Sequence, residues 1–516
     1  MPDRVALAVD GTQISCEAGI TVAAALSDAS VTRLRASVTG EPRGVLCGMG
    51  TCLECRVSID GVRHQRACTR LVREGMDVAT MDAAASSRPS AVGVEPTPLD
   101  CDVAVIGAGP AGVAAAVRAA ESGARTVVLD EGLAPGGQIY RHRPGGEAPE
   151  AARRWIDRLA QSGAEVVGGA SVFDVERRGE EAFRIFAEAP DGARVVTAKR
   201  LVLATGAREL FLPFPGWTLP GVMGAGGAQA LLKSGASVAG RTAVVGGSGP
   251  LLLPVAASLA KAGAEVALVA EQAGMASVAG FGVRLARFPG KLLEAARYRS
   301  AFLDTPYRSG TWVAQARGAG RVETAVVTDG RDSYEMACDL VAVAFGLVPN
   351  TELARLLGCQ LSRTGVRVDA DQQTTAPGVF CAGEPCGVAG VDVAIAEGEI
   401  AGLAASGDKA RRRALEGARA SGRALAARME RAFRPRPELR SLARPDTIVC
   451  RCEDAPVSAL ASCASAREAK LVSRAGMGPC QGRVCGPALE FLFGWDSDTV
   501  RPPARPALLG HLPGSN

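Results

Sequence analysis

CDVAVIGAGPAGVAAAVRAAESGARTVVLDE, residues 101–131, decides the fold at the centre of this chain. CDVAVIG is a short apolar run rich in Val and Ile and reads as a buried strand. Gly107-Ala108-Gly109-Pro110-Ala111-Gly112 follows at once and opens an Ala-rich helix, and TVVLD is the next strand. In this pattern Gly107 permits a tight turn, Gly109 lets backbone approach a pyrophosphate, and Gly112 lets the helix lie close to the strand. Pro110 and Ala111 begin the helix, whose positive dipole end faces the phosphates. Asp130 stands 23 residues after Gly107, where a carboxylate can accept ribose hydroxyl bonds, and Glu131 is the alternative. The whole predicts an adenine dinucleotide site on a parallel α/β sheet. A glycine-rich turn without a ligand is the bland alternative, and it leaves the full strand–loop–helix–strand–acid pattern unexplained.

The same unit recurs from Arg241, through AVVGG, SGPLLLPVAASLAKAG and EVALVAE. At an offset of 140 residues Gly107 falls on Gly247 and Gly109 on Gly249. The third glycine is replaced by Leu252, Pro254 lies early in the helix, and Glu271 aligns with Glu131 rather than Asp130. This incomplete fingerprint makes NAD(H) doubtful there and leaves a structural or altered nucleotide domain as the other reading. LVLATGAREL (201–210, with Thr205 and Gly206) and GVFCAGEP (378–385, with Gly383 and Glu384) resemble the ATG and terminal GD motifs of the glutathione and thioredoxin reductase superfamily. They favour FAD, or another adenine nucleotide at the same site, over NAD in the first unit. Glu384 stands where that superfamily has Asp, so its contact is open. Gly136-Gly137-Gln138 resembles the superfamily's GGQ loop near the flavin.

Eight cysteines flank this middle. Cys47, Cys52, Cys55 and Cys68 follow as C-x4-C-x2-C-x12-C, the plant-type ferredoxin spacing, which predicts a [2Fe–2S] centre. Cys450, Cys452, Cys480 and Cys485 follow as C-x-C-x27-C-x4-C, tighter at its start than zinc sites usually are. Zinc and unliganded thiols are the alternatives for both. No cysteine lies between 102 and 337, so the reactive dithiol that disulfide reduction needs is missing. The remaining seven cysteines read as small core residues. His64 and His142 read as loop histidines.

The chain has 516 residues and a net charge of +4, too small to point to nucleic acid. Its opening residues carry charges and show no secretory signal, and its longest apolar run, near 250–260, is too short to span a bilayer. A reducing, cytoplasmic setting is expected, with attachment to the inner membrane face only through partners. The expected organisation is a β-grasp ferredoxin-like domain at 1–82, a linker at 83–99 and a Rossmann-like FAD domain in two parts, 100–210 and 335–405. A second, NAD-like Rossmann domain falls at 211–334, an Arg-rich helix with linker at 406–445, a small helical cluster domain at 446–492 and a tail at 493–516.

CGMGTCLECRVSIDGVRHQRAC resembles the ferredoxin-like subunit of hydrogen cyanide synthase and of D-hydroxyproline dehydrogenases. IGAGPAG, DEGLAPGGQIYR, GGSGPLLLPVA, VFCAGE and CRCED…MGPCQGRVC resemble their FAD-binding α subunit, opine oxidase α subunits and the N-terminal half of heterotetrameric sarcosine oxidase α. The resemblance implies a fusion of two subunits into one chain. It also implies a bacterioferritin-associated-ferredoxin-like [2Fe–2S] domain around the last four cysteines. A flavoprotein β subunit would oxidise a C–N bond of D-hydroxyproline, proline, an opine, glycine or sarcosine. This chain would relay the electrons through flavin and two [2Fe–2S] clusters to a quinone or an electron-transfer protein, with FMN at the junction of the subunits. A self-contained NAD(P)H-dependent reductase and a non-catalytic iron–sulfur delivery protein are the competing readings.

Overall fold

The computed structural model of the chain describes residues 3–83, 96–408, 413–496 and 499–512. They divide into two compact units, one made of 1–89, 209–347 and 428–498, the other of 90–208, 348–427 and 499–516.

The first unit opens with a five-stranded mixed sheet. Arg4–Val9 pairs antiparallel with Thr12–Glu17 and parallel with Met76–Thr80, which continues to Arg56–Ile59 and Val62–Arg66. Both hairpins turn on Asp-Gly with positive φ at each residue (Asp10 47°, Gly11 80°; Asp60 50°, Gly61 77°), the turn whose twist matches the strands. The helix Val22–Asp28 is capped by the Thr21 hydroxyl, which accepts from the Ala24 N–H at 3.3 Å, and its apolar residues 22–26 are buried. The β-grasp expectation is met, and the first cysteine loop hangs between this helix and Arg56–Ile59.

The same unit holds a five-stranded parallel sheet in the order Val222–Gly224, Leu340–Ala344, Thr242–Gly247, Glu265–Glu271, Tyr307–Ser309. Leu340–Ala344 is buried at every position, as a central parallel strand should be. The return to the first Rossmann module therefore comes at 348, not at 335 as the sequence suggests. The last cysteines sit on a mixed module, not a wholly helical one: the ladder of Ile448–Cys450 with Ala455–Pro456, then the helices Ala466–Ser473 and Cys485–Phe493.

The second unit is built on a sheet ordered Glu165–Gly168, Thr126–Asp130, Thr97–Ile106, Gly192–Leu203, Ala182–Ala189, Ser171–Arg178, with Val379–Cys381 also paired to Gly192–Leu203. The first strand begins at Thr97, inside the expected linker, most of which (84–95) lies outside the described residues. Helices Pro110–Glu121 and Val391–Ala405 touch backbone to backbone. A Cβ on Gly398 or Gly402 would stand 2.1 and 2.2 Å from the Ala111 and Ala115 carbonyl oxygens. The tail is not loose: the Ala504 N–H donates to the Phe173 carbonyl at 2.6 Å. Among the described residues no helix is long and apolar enough to cross a membrane.

Candidate nucleotide and iron–sulfur sites

Strand Thr97–Ile106 runs into Gly107 at φ 102°, and helix Pro110–Glu121 begins three residues later with Gly109 as its N-cap. A Cβ at Gly107 would meet the Ala204 carbonyl oxygen at 2.3 Å, and one at Gly112 would meet the Gly107 oxygen at 1.7 Å. Close packing thus demands glycine at both. The Gly136 N–H donates to the Ala108 oxygen at 2.7 Å, and a Cβ on Gly137 would lie 2.8 Å from Gly109 Cα. The Gly136–Gly137 loop therefore rests against the fingerprint, an approach that glycine on both sides permits. Gln138 accepts from Arg141 Nε and Nη2 at 3.1 and 2.9 Å.

Asp130 Oδ1 accepts from the Ala108 N–H at 2.9 Å and Oδ2 from the Gly132 N–H at 3.2 Å, so its visible task is to brace the loop. Burial pushes its carboxyl up to about 6, against the pull of the Ala108 N–H. Glu131 is ion-paired with Arg505 from the tail, a contact between distant parts of the chain that local sequence could not show. Thr205 Oγ1 donates to the Asn350 oxygen at 2.7 Å, and Asn350 returns Nδ2 to the Thr205 oxygen at 2.8 Å and its N–H to the Gly206 oxygen at 3.0 Å. Sequence reasoning passed over Asn350.

At the terminal motif the Gly383 N–H donates to Glu397 Oε2 at 3.0 Å. Glu397, 2 % exposed, is clasped by Arg423 Nε and Nη2, both at 2.8 Å, and Arg423 Nη1 also reaches the Gly387 oxygen at 2.7 Å. Glu384 Oε1 accepts from the Gly390 N–H at 3.1 Å, while Oε2 is buried with no partner among the described residues. A buried oxygen left unsatisfied is costly. An orphaned acceptor in the motif that completes this fold suits a hydroxyl donor from a bound nucleotide, and together with the glycine-rich strand–loop–helix it fits FAD.

The second glycine-rich loop, in the other unit, is closed. Its helix, Leu252–Lys261, starts two residues later than the 140-residue offset predicts from Pro110, because Leu252 is fully buried where Gly112 lets the first helix approach its strand. Phe433 Cβ and Cγ stand 3.7 and 3.8 Å from the place of a Cβ on Gly249. The Ser248 hydroxyl donates to the Phe433 oxygen at 2.5 Å. Gln272 Nε2 donates to the Phe433 and Arg434 oxygens at 3.4 and 3.3 Å, and Gln272 Oε1 accepts from the Arg436 N–H at 3.1 Å. Glu271, fully buried, accepts from Gly249 and Ala273 N–H groups at 2.7 and 2.8 Å, and burial pushes it up to about 7. The segment Phe433–Arg436 thus packs on the second glycine-rich loop.

Both cysteine quartets are in this unit, and the thiols of each come together. Cys47 is in hydrogen-bond contact with Cys52, and Cys55 with Cys68. Cys47 Sγ also accepts from the Met49 and Cys52 N–H groups at 3.4 Å each. The Cys52 thiol and these amides hold it down to about 6, so the thiolate, the ligand form, is favoured. In the second quartet Cys450 contacts Cys452 and Cys485, and Cys452 lies 3.6 Å from Cys480. Those thiols drive Cys450 far below the ordinary thiol range. Among the described residues no three such side chains are gathered as ligands of one ion. The two-and-two pairing of the first quartet is the division that two irons require.

The surroundings are cationic. Arg35, Arg43 and Arg451, each 4 % exposed or less, are buried here against the carboxylates Glu54 and Asp454, and Arg483, 5 % exposed, donates to the Cys480 oxygen at 3.2 Å. The Nε atoms of Arg35, Arg43 and Arg451 are buried without partners among the described residues. Buried cations in excess are unfavourable unless an anion offsets them, and anionic iron–sulfur centres in both quartets would do so. Glu209, 3 % exposed, accepts from Gly226 and Gly227 N–H groups at 2.7 and 3.2 Å, and burial pushes it up to about 8, assisted by Cys47. No local motif marked it. His64 is exposed beside Arg56, away from the thiols, and His142 Nδ1 lies 2.9 Å from the Tyr140 oxygen. The seven other cysteines are all buried, as expected.

Residues 101–398 match the family model for pyridine nucleotide-disulphide oxidoreductases, and residues 2–83 match a 2Fe-2S iron-sulfur cluster binding domain. The chain is 33 % identical to an opine oxidase subunit of Rhizobium meliloti (strain 1021), covering 80 % of this chain and 98 % of that one. It is 30 % identical to hydrogen cyanide synthase subunit HcnB of Pseudomonas aeruginosa, covering 77 % and 92 %. In fold it is similar to the crystal structure of L-proline dehydrogenase from P. horikoshii, with a TM-score of 0.73, 20 % identity, and coverage of 99 % and 98 %. The chain thus belongs to the pyridine nucleotide-disulphide oxidoreductase family, on the branch that includes this opine oxidase relative, and is an oxidoreductase with FAD and [2Fe–2S] as cofactors.

Proposed function

We propose that this chain is the electron-relaying subunit of a hetero-oligomeric, flavin-dependent amine or amino-acid dehydrogenase in the cytoplasm. A flavoprotein partner would oxidise the C–N bond, and a quinone or electron-transfer protein would take the electrons onward. The relatives named for opine oxidation and hydrogen cyanide synthesis support a C–N substrate class. The observation that carries the reading is Phe433 on Gly249. Phe433 packs against the second glycine-rich loop, which supports a source of reducing equivalents other than a nicotinamide cofactor.

In this reading Gly107, Gly109, Pro110, Ala111 and Gly112 cradle the pyrophosphate, with Gly137 and Gln138 on the facing loop. Thr205 and Gly206, pinned by Asn350, Gly383, pinned by Glu397, and Glu384, held by the Gly390 N–H, frame the far end. Asp130 and Glu131 act at the ribose end, the first by holding the loop. Cys47, Cys52, Cys55 and Cys68 hold one [2Fe–2S] centre, and Cys450, Cys452, Cys480 and Cys485 hold another. A flavin takes two electrons and releases them singly, and each iron–sulfur centre carries one.

The test is anaerobic titration of the purified chain with NADH and, separately, with amine substrate in the presence of its co-expressed flavoprotein partner. NADH should leave the flavin oxidised, and the amine should bleach flavin and iron–sulfur bands together. Rapid bleaching by NADH alone would instead establish a self-contained reductase.

A further inference from the structure

Glu54 lies between the ligand positions Cys52 and Cys55, and Arg451 lies between Cys450 and Cys452, nearly four hundred residues away. Their side chains meet: Glu54 Oε2 is 3.3 Å from Arg451 Nη2, and Oε1 is 3.0 Å from Arg35 Nη2. The three side chains are 1, 2 and 5 % exposed. One carboxylate oxygen thus ties the first cysteine loop to the second through Arg451, while the other anchors the same loop to Arg35 on the strand Arg35–Ala36. Arg451 is fixed in turn by donating to the Trp217 oxygen at 2.8 Å and by stacking on the indole at 5.0 Å. The indole Nε1 donates to the Ile448 oxygen at 2.6 Å, beside the second loop. A parallel link joins Arg43 to Asp454 at 2.6 Å, and Thr39 Oγ1 donates to the same carboxylate at 2.6 Å. Cys47, Cys52 and Cys480 share one apolar core, with Cys452 packed on it.

We propose that the Arg35–Glu54–Arg451 triad is a positioning device that holds the two cysteine loops in one fixed register, so that the two iron–sulfur centres exchange electrons directly with each other. The inference rests on the second quartet holding a [2Fe–2S] centre, as proposed above. The step moves one electron from a reduced centre to an oxidised one; no bond forms or breaks and no proton is needed. Electron tunnelling falls steeply with distance, so a clamp between the ligand loops sets the rate. A buried ion triad is a poor source of stability compared with apolar packing, and fixing register is the use such groups serve best. The charge also matters: a carboxylate between two centres disfavours added negative charge on both.

The test is electron paramagnetic resonance and redox titration of the intact, fully reduced chain. The unaltered protein should show two iron–sulfur signals, each broadened by the other. Glu54→Gln keeps the shape and removes the charge. It should retain iron and sulfide for both quartets, narrow both signals, and raise both midpoint potentials. Unchanged broadening and potentials at full iron content would overturn the proposal, as would a shift confined to the first centre. Iron enough for only one quartet in the unaltered chain would remove the second centre itself, a different failure with a different readout. Should Glu54→Gln not fold, Arg451→Lys, which keeps the charge and loses the planar fork, is read for the same narrowing.

Discussion

At Gly109 the nearest atom to a would-be side chain is backbone, Gly137 Cα at 4.0 Å, whereas at Gly249 it belongs to a side chain, Phe433 Cβ at 3.7 Å. Both loops follow a buried parallel strand, both precede a helix, and both are braced by a buried acid, Asp130 in one and Glu271 in the other. One difference is a single side chain: Gly112 lets its helix start at Pro110, while Leu252 sets the later start of the other helix. The other is a visitor from nearly two hundred residues away, the segment Phe433–Arg436. A fingerprint that has lost one glycine keeps its fold and changes its use.

The comparison can be broken most sharply at Gly112. Gly112→Leu, the residue of the second loop, forces a Cβ to within 1.7 Å of the Gly107 oxygen. Overpacking of this kind costs about 3 kcal/mol or more. The purified variant should lack flavin absorbance while keeping its iron–sulfur bands. Next in size is Arg423→Ala, which strands the buried Glu397 carboxylate beside Gly383. It should cost about 3 kcal/mol, seen as a lower Tm and weaker flavin retention.

The braces give a pH test. Glu271 is raised in the fold from 4.5 to about 7, so the native state binds its proton more tightly than the unfolded chain. Its favourable contribution is complete below about pH 4.5 and is lost as pH rises towards 7, on the order of 2–3 kcal/mol. Denaturant titrations of Glu271→Gln across that window should show a flatter pH dependence than the unaltered chain. The smallest effect is expected from Phe433→Ala. It should cost roughly 1–2 kcal/mol, losing the edge-on contact with Phe281 at 5.2 Å. Tryptophan fluorescence should then report NADH binding only when Leu252→Gly is added, because the late helix start still spoils the cradle.

Much of this was legible beforehand, for local reasons. G-x-G-x-x-G after a strand, Asp-Gly hairpins and C-x4-C-x2-C spacing are each written within a few tens of residues, and the structure places them as read. The boundary at 335 was misplaced because Leu340–Ala344 is apolar throughout and so suits either parallel sheet. Spacing shows where the Asp130 carboxylate lies, but not that it also accepts from the Ala108 and Gly132 N–H groups. Arg423, Arg505, Asn350 and Glu209 carried no motif, since their partners lie far along the chain.

The sequence by itself determined the cofactor-bearing loops, because a phosphate cradle and a cysteine cage are built from contiguous backbone whose shape depends on glycine and on spacing. Only the tertiary structure decided that the second cradle is filled by Phe433 and that the two cysteine loops touch through Glu54 and Arg451. Those facts depend on burying distant segments against one another, where the cost of an unpaired buried charge selects its partner and no short-range pattern records the choice.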